Sequence, residues 1–264
     1  MSNATGSTLE SAALSAQQWE QFENAGFVHL GRVASDAELS ALQARIDDIM
    51  MGRAAIDYNK LLMQLDSSDG QYENAPEQTC GHKVATLAYR KIQELEHDDL
   101  FMQFMSKPIF REVCEHVYGE GVPIAAFRAM FMNKPAHQGT MLPWHQDRWN
   151  YLDRDPQVTV WTALDPATRA NGCVQVVRGS HKLGLLNPEH TSGFLSEDNI
   201  AKHTSPEKIE FVELAPGEAV LLHNWLLHSS DRNNTDVSRR AFSVCYMDAR
   251  TQTTNGEKYT TIFA

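Results

Sequence analysis

A histidine and a carboxylate two residues apart, His145-Gln146-Asp147, can offer an imidazole nitrogen and a carboxylate oxygen to one ion if the segment is extended. Residues i and i+2 of a strand share a face. Two such ligands do not close a site. A second imidazole from a neighbouring strand would complete a 2-His-1-carboxylate facial triad, the donor set that leaves positions open on Fe(II) for a co-substrate and oxygen. With 11 histidines in the chain, one H-x-D match carries little weight alone, and His97-Asp98-Asp99 is a second match. That one falls in an acidic stretch read as helical, where i and i+2 diverge, so His97 and Asp99 are expected on the surface. His145 and Asp147 instead lie between two strand-like runs. About 80 residues on, Pro216-Gly217-Glu218 turns into an apolar run that leads through Trp225-Leu226-Leu227 to His228.

Arg239 and Arg240 follow the polar turn 229–238 and open the next apolar run. A cation so placed is expected to return beside the His228 strand. Arginine binds carboxylates bidentately and stays charged at any working pH. A 2-oxoglutarate molecule chelating iron through its 2-oxo acid end would set its far carboxylate against this side chain.

The elements that must position these residues fall into two textures. Ser15 with Gln18, and Ser35 with Glu38, have capping-box spacing. The first opens a helix that stops at Gly26, followed by a short strand at 27–30. The second opens a helix carrying Leu39, Leu42, Ile46 and Ile49, ending near Gly52. Residues 53–80 read as a long loop or insertion, and 83–118 as helical again. After Gly121, strand-like runs follow at 124–132, 157–164, 173–177, 209–214, 219–223 and 241–247, separated by turn signals such as Asn171-Gly172 and Arg178-Gly179-Ser180. A second long loop spans 184–208. The expectation is an α+β chain with a mainly β core: a frayed start at 1–14, a mostly helical part at 15–120, and a sandwich or barrel at 121–250.

Composition narrows the function. The 264 residues suit one large domain over 1–264. The net charge of −11 disfavours polyanions, so nucleic acid is not an expected partner, and it mildly disfavours an acyl-CoA. No apolar stretch approaches the roughly 20 residues of a membrane span. The N-terminal residues lack the basic and apolar regions of a secretory signal. Cys80, Cys114, Cys173 and Cys245 form no C-x-x-C pair, and we expect reduced thiols in a cytoplasmic protein, with Cys173 and Cys245 buried.

The order H-x-D, then a distant His, then Arg eleven residues later resembles the phytanoyl-CoA dioxygenase (PhyH) family of Fe(II)/2-oxoglutarate oxygenases. The likeness covers most of the chain. It includes Trp19-Glu20-Gln21-Phe22 through Gly26-Phe27-Val28, then Asn171-Gly172-Cys173 through Gly179-Ser180-His181-Lys182, and Pro216-Gly217-Glu218 through His228-Ser229-Ser230. The resemblance implies a double-stranded β-helix, or jelly roll, with helices packed outside. It implies Fe(II) on His145, Asp147 and His228, with 2-oxoglutarate and O2 as co-substrates. It also implies Arg239 as the carboxylate partner, with Arg240 as the fallback, and Met130, Trp161 and Lys91 beside the co-substrate. Related halogenases have Gly or Ala at the position of Asp147, so a carboxylate there points to oxygenation, with desaturation left open.

Arg148, Trp149 and Trp144, with Tyr151 and Trp225, flank the candidate ligands and are candidates for contact with a small-molecule substrate, although core packing serves the aromatic residues equally well and a surface carboxylate serves Arg148 equally well. His181 follows turn chemistry and reads as structural, as does His223. Two other classes compete: a jelly roll that binds a metal or ligand without catalysis, and a zinc hydrolase or isomerase, which would need a separate general base that the sequence does not identify. Substrate choice is expected in 53–80, 148–155, 184–208 and the C-terminal tail.

Overall fold

The computed structural model describes residues 14–190 and 193–264. Both predicted capping boxes form. Ser15 caps α1 (Ala16–Ala25), which stops at Gly26 in the left-handed region, and Ser35 caps α2 (Asp36–Met50). Strand β1 (Phe27–Arg32) lies between them. The expected frayed stretch lies outside the described residues except for Leu14, which is buried in the core.

Sequence texture misjudged the part expected to be mostly helical. Within 53–80 lie β2 (Leu62–Leu65) and β3 (Thr79–Cys80). Within the 83–118 stretch, β4 (Tyr89–Gln93) is a strand, and helices resume only with α3 (Asp99–Met105) and α4 (Pro108–Tyr118). Asp98 ends the non-helical part as the N-cap of α3, accepting from the backbone of Leu100 and Phe101 while Arg45 holds its other oxygen at 2.6 Å. Asp98 is therefore structural, and His97 and Asp99 are exposed as expected.

The remaining strands are β5 (Ile124–Lys134), β6 (Leu142–His145), β7 (Val158–Ala163), β8 (Val174–Val177), β9 (Ile209–Val212), β10 (Glu218–His223), β11 (His228–Ser230), β12 (Arg239–Asp248) and β13 (Thr261–Phe263). A short helix, α5 (Glu197–His203), interrupts the loop before β9. Two antiparallel sheets result. The larger runs β1-β10-β7-β12-β5-β4-β2-β3 with β13 on β5, and the smaller runs β6-β11-β8-β9. This is the double-stranded β-helix, α+β overall, with helices on the outer face of the large sheet.

Period-two alternation decides what each face of the large sheet sees. Phe242, Val244 and Tyr246 of β12 and Val158 and Val160 of β7 face outward into a core shared with Leu42, Ile46, Ile49, Phe101 and Phe110 of the helices. Leu42, Ile46 and Ile49 are fully buried, and truncating one to Ala costs about 2–5 kcal/mol. Trp161 of β7, Ala241 of β12 and Val220 and Leu222 of β10 face inward, against Val174 and Val176 of the small sheet. Toward one end, the space between the sheets is left open, as a cavity of about 300 Å³.

Candidate active site

His145 is the last residue of β6, and Asp147 lies just past the strand end. The link between β10 and β11 is a turn, Asn224 to Leu227, that carries the chain from the large sheet to the small one. His228 opens β11 directly opposite His145, and the two rings stand 4.0 Å apart. Asp147 Oδ1 lies 3.8 Å from His145 Nε2, and its Oδ2 lies 3.8 Å from His228 Nε2. One donor atom from each residue falls within 4.8 Å of the others.

Backbone carbonyls set both imidazoles. His145 Nδ1 donates to Pro143 O at 2.8 Å, and His228 Nδ1 donates to Leu226 O at 2.9 Å. That tautomer turns the Nε2 lone pairs toward Asp147, the arrangement a metal requires. Burial, then the neighbouring His228, pushes His145 down to about 3 despite the nearby Asp147 carboxylate. It is therefore neutral at ordinary pH.

Two buried amides that sequence reasoning passed over brace this corner. Gln146 donates to Gly184 O and Trp225 O and accepts from the Leu186 backbone. Asn224 O accepts the Asp147 N–H at 2.7 Å, while its side chain donates to Pro156 O and accepts from Thr159 Oγ1. Gly193 approaches so closely that an added Cβ would sit 1.9 Å from Gln146 O, at φ +66°, so only glycine fits. Its carbonyl accepts the Gln146 N–H. Neither amide belongs to a motif; Gln146 is marked only by its place inside H-x-D.

Arg239 does not return beside the His228 strand. β12 pairs with β5 and β7, so Arg239 reaches into the cavity from the large sheet, opposite the imidazoles. Its side chain is buried (2% exposed), donates from Nη2 to Gly172 O at 3.1 Å, and lies over the Trp161 ring at 5.3 Å. Arg239 Nε and Nη1 and Trp161 Nε1 are buried with no hydrogen-bond acceptor among the described residues. Burial lowers Arg239 to about 10, so it remains charged. Gly172, at φ +78° with an added Cβ 2.3 Å from Asp231 O, can bring its carbonyl this close only as glycine. Arg240 faces the other way. It pairs with Asp165 at 2.7 Å and Asp47 at 2.6 Å, outside the cavity wall.

Met130, Trp161, Lys91, Arg148, Trp149 and Tyr151 all line the cavity, as do Arg90, Arg128, Tyr72 and Phe194, which sequence reasoning had not singled out. Arg128 precedes Met130 by two residues on β5, so strand alternation around Met130 would have found it. Trp144 is not in this wall. As the strand neighbour of His145 it turns to the other face and packs on Val177, Leu195 and Leu227, which corrects its reading as a substrate contact. Burial, then Arg90 and Arg128, lowers Lys91 to about 7, with Asp147 pulling the other way. His181 and His223 lie together near Gly26, away from the cavity. Two long loops meet at the entrance. Phe194 forms an isolated β-bridge with His145, and Tyr72 meets it edge-on at 4.9 Å.

A fold of this kind, with two imidazoles and a carboxylate facing a buried, unpaired guanidinium, defines an oxygenase-type jelly roll. The chain belongs to the phytanoyl-CoA dioxygenase (PhyH) family, whose model matches residues 22–241. A probable phytanoyl-CoA dioxygenase of Caenorhabditis elegans is 31% identical over 251 residues, covering 90% of this chain and 77% of that one. The human peroxisomal phytanoyl-CoA dioxygenase is 27% identical over 252 residues, covering 92% and 71%. Among solved structures, EctD from S. alaskensis with 2-oxoglutarate and 5-hydroxyectoine superposes with a TM-score of 0.70 at 20% identity, over 92% of this chain and 79% of that one. The carbocyclase SnoK from nogalamycin biosynthesis gives 0.70 at 19%, over 95% and 90%. The protein is an enzyme, an Fe(II)- and 2-oxoglutarate-dependent dioxygenase that uses O2.

Proposed function

We infer that His145, Asp147 and His228 hold Fe(II), that Arg239 with Trp161 Nε1 holds the far carboxylate of 2-oxoglutarate, and that the enzyme hydroxylates a C–H bond of a small molecule. The observation carrying this reading is the pair of buried, unpartnered nitrogens, Nε and Nη1, of the Arg239 guanidinium facing the same cavity as the triad. An unpaired buried cation is costly unless an anion completes it, and a planar fork suits a carboxylate. The donor set, two imidazoles and one carboxylate with open positions, suits iron. When bound, iron and 2-oxoglutarate supply the oxidising chemistry: decarboxylation to succinate and CO2 consumes O2 and leaves one oxygen atom for the substrate.

The chain's own residues supply position and dryness. Backbone-held imidazoles fix the ligand geometry, and Arg239 fixes which end of 2-oxoglutarate meets the metal. Tyr72, Phe194 and Trp149 exclude water from the reacting carbon. Asp147 occupies a position that an external ligand could otherwise take, which favours oxygenation. Desaturation would need the same residues and a different substrate pose. We read 1–264 as one dioxygenase domain, in line with the family match over 22–241. None of the described helices is long and apolar enough to cross a membrane. The four free cysteines support a reducing compartment such as the cytoplasm.

The test is 2-oxoglutarate turnover, read as succinate release under O2 with Fe(II). Wild type should release succinate slowly without substrate, and Asp147→Ala should not. Equal release from both would remove Asp147 from the metal site.

A further inference from the structure

The cavity carries more positive charge than iron and 2-oxoglutarate require. Its wall contains Arg90, Lys91, Arg128, Arg148 and Arg239 against one carboxylate, Asp147, in a chain whose net charge is −11. On the reading above, Arg239 is taken by the co-substrate. Arg90 donates to Gln64 Oε1 at 2.9 Å and lies over the Tyr72 ring. Lys91, Arg128 and Arg148 are left over. Among the described residues, neither Lys91 Nζ nor the Arg128 guanidinium makes a hydrogen bond or ion pair. Arg148 uses Nη1 on Pro188 O, and its buried Nε has no acceptor. Asp147 acts on Lys91 and Asp155 on Arg148, but among the described residues no carboxylate lies within ion-pair distance of any of the three, so an anion entering among them is stabilised.

Strand register separates Arg128 from the co-substrate anchor, with Lys91, opposite Met132, between the two levels. Arg239 pairs with Lys134, and Arg128 pairs with Cys245, six residues away along the same two strands. At roughly 3.4 Å per residue the two levels are about 20 Å apart. Cys245 Sγ accepts from Asn224, whose carbonyl binds the Asp147 N–H, so Arg128 sits at the level of the triad's carboxylate. The Arg128 guanidinium lies over the Trp149 ring at 4.8 Å and the Phe127 ring at 5.3 Å. The two rings, 4.4 Å apart, lie to one side of the guanidinium, and its N–H groups are left for a planar anion.

We propose that the substrate is a small organic acid whose own carboxylate is held by Arg128 and Arg148, with Lys91 beside them, its apolar body lying against Trp149, Tyr151 and Phe194. The inference rests on the Fe(II)/2-oxoglutarate reading of the same cavity. A CoA thioester fits poorly, because it has no carboxylate near the reacting carbon and its phosphates lie at the far end of a long arm. A cavity of about 300 Å³ is also at the small end of ligand pockets and must hold 2-oxoglutarate as well.

The experiment uses wild type, Arg128→Gln and Arg148→Gln loaded anaerobically with Fe(II) and saturating 2-oxoglutarate. Probes are straight-chain and phenyl-substituted monocarboxylates, each paired with its primary amide and its CoA thioester. Binding is read from perturbation of the visible charge-transfer band, and coupling from succinate release once O2 is admitted. At least one acid should bind wild type about tenfold or more tighter than its amide, as a charge-assisted contact implies. Either Arg→Gln change should erase that preference while 2-oxoglutarate affinity stays within about twofold. A wild type with an intact band and no preference for acids, or one that prefers thioesters, overturns the inference. So does an Arg128→Gln protein that loses 2-oxoglutarate, since Arg128 would then serve the co-substrate. Absence of the band in wild type sinks the underlying iron reading instead.

Discussion

The two faces of β12 treat adjacent arginines in opposite ways. On the outer face, Arg240 is tied to Asp165 and Asp47 and fixes α2 against the sheet. Burial alone would lower it, but the two carboxylates win and raise it above its ordinary value. On the inner face, Arg239 has one carbonyl acceptor, two unpartnered N–H groups and a pKa lowered by burial. One arginine is satisfied by the fold, and the other awaits something the fold does not supply. Buried polar groups are paired almost everywhere in native proteins, so an unpaired charge lining a cavity marks a ligand site better than charge itself does.

Asp147→Ala should cut iron-dependent succinate release by well over about 100-fold, because second-shell changes alone cost about 10- to 100-fold in metal affinity. Arg239→Met should weaken 2-oxoglutarate binding by about 100-fold or more, in line with ~2–5 kcal/mol for removing one partner of a buried charged pair. The same change should leave the metal-free fold no less stable, since it removes a desolvated cation that nothing balances. Arg240→Met should do the reverse, costing about 2–3 kcal/mol in denaturant unfolding by stranding Asp165, with 2-oxoglutarate affinity unchanged.

A further effect concerns pH. Burial, then His181, lowers His223 to about 4 in the folded protein, against about 6.5 unfolded. Between those values the unfolded chain binds more protons, so stability rises with pH across the window and is lost as pH falls through it. The slope from this residue approaches ~1.4 kcal/mol per pH unit. His223→Asn should flatten the stability profile of metal-free protein between pH ~4 and ~6.5, and an unchanged profile would contradict the shift.

The site was more legible in the sequence than the sheet that carries it. His145, Asp147, His228 and Arg239 were picked out by residue type and order taken together with the family resemblance, with Arg240 beside Arg239 as the fallback. The strands that converge them were read less well. β4 lies in Tyr-Arg-Lys-Ile-Gln, with one β-branched residue and no clean alternation, and it is a strand only because β5 and β2 pair with it. β11 has three residues and follows a turn inside an apolar run, so periodicity could not show the chain changing sheets at Asn224. That crossing is also why Arg239 arrives opposite His228 and not beside it. Gln146 and Asn224 carry no signal in one sequence, since a bracing amide is recognised only by the carbonyls it satisfies.

The most direct measurement is an anaerobic titration of the Fe(II)-loaded protein with 2-oxoglutarate, following the visible metal-to-ligand charge-transfer band in wild type, Arg239→Met and Arg240→Met. The account predicts saturation in wild type and Arg240→Met at similar 2-oxoglutarate concentrations, and a shift of about 100-fold or more in Arg239→Met. Equal affinities in all three proteins, or no band in folded, iron-loaded wild type, would contradict it.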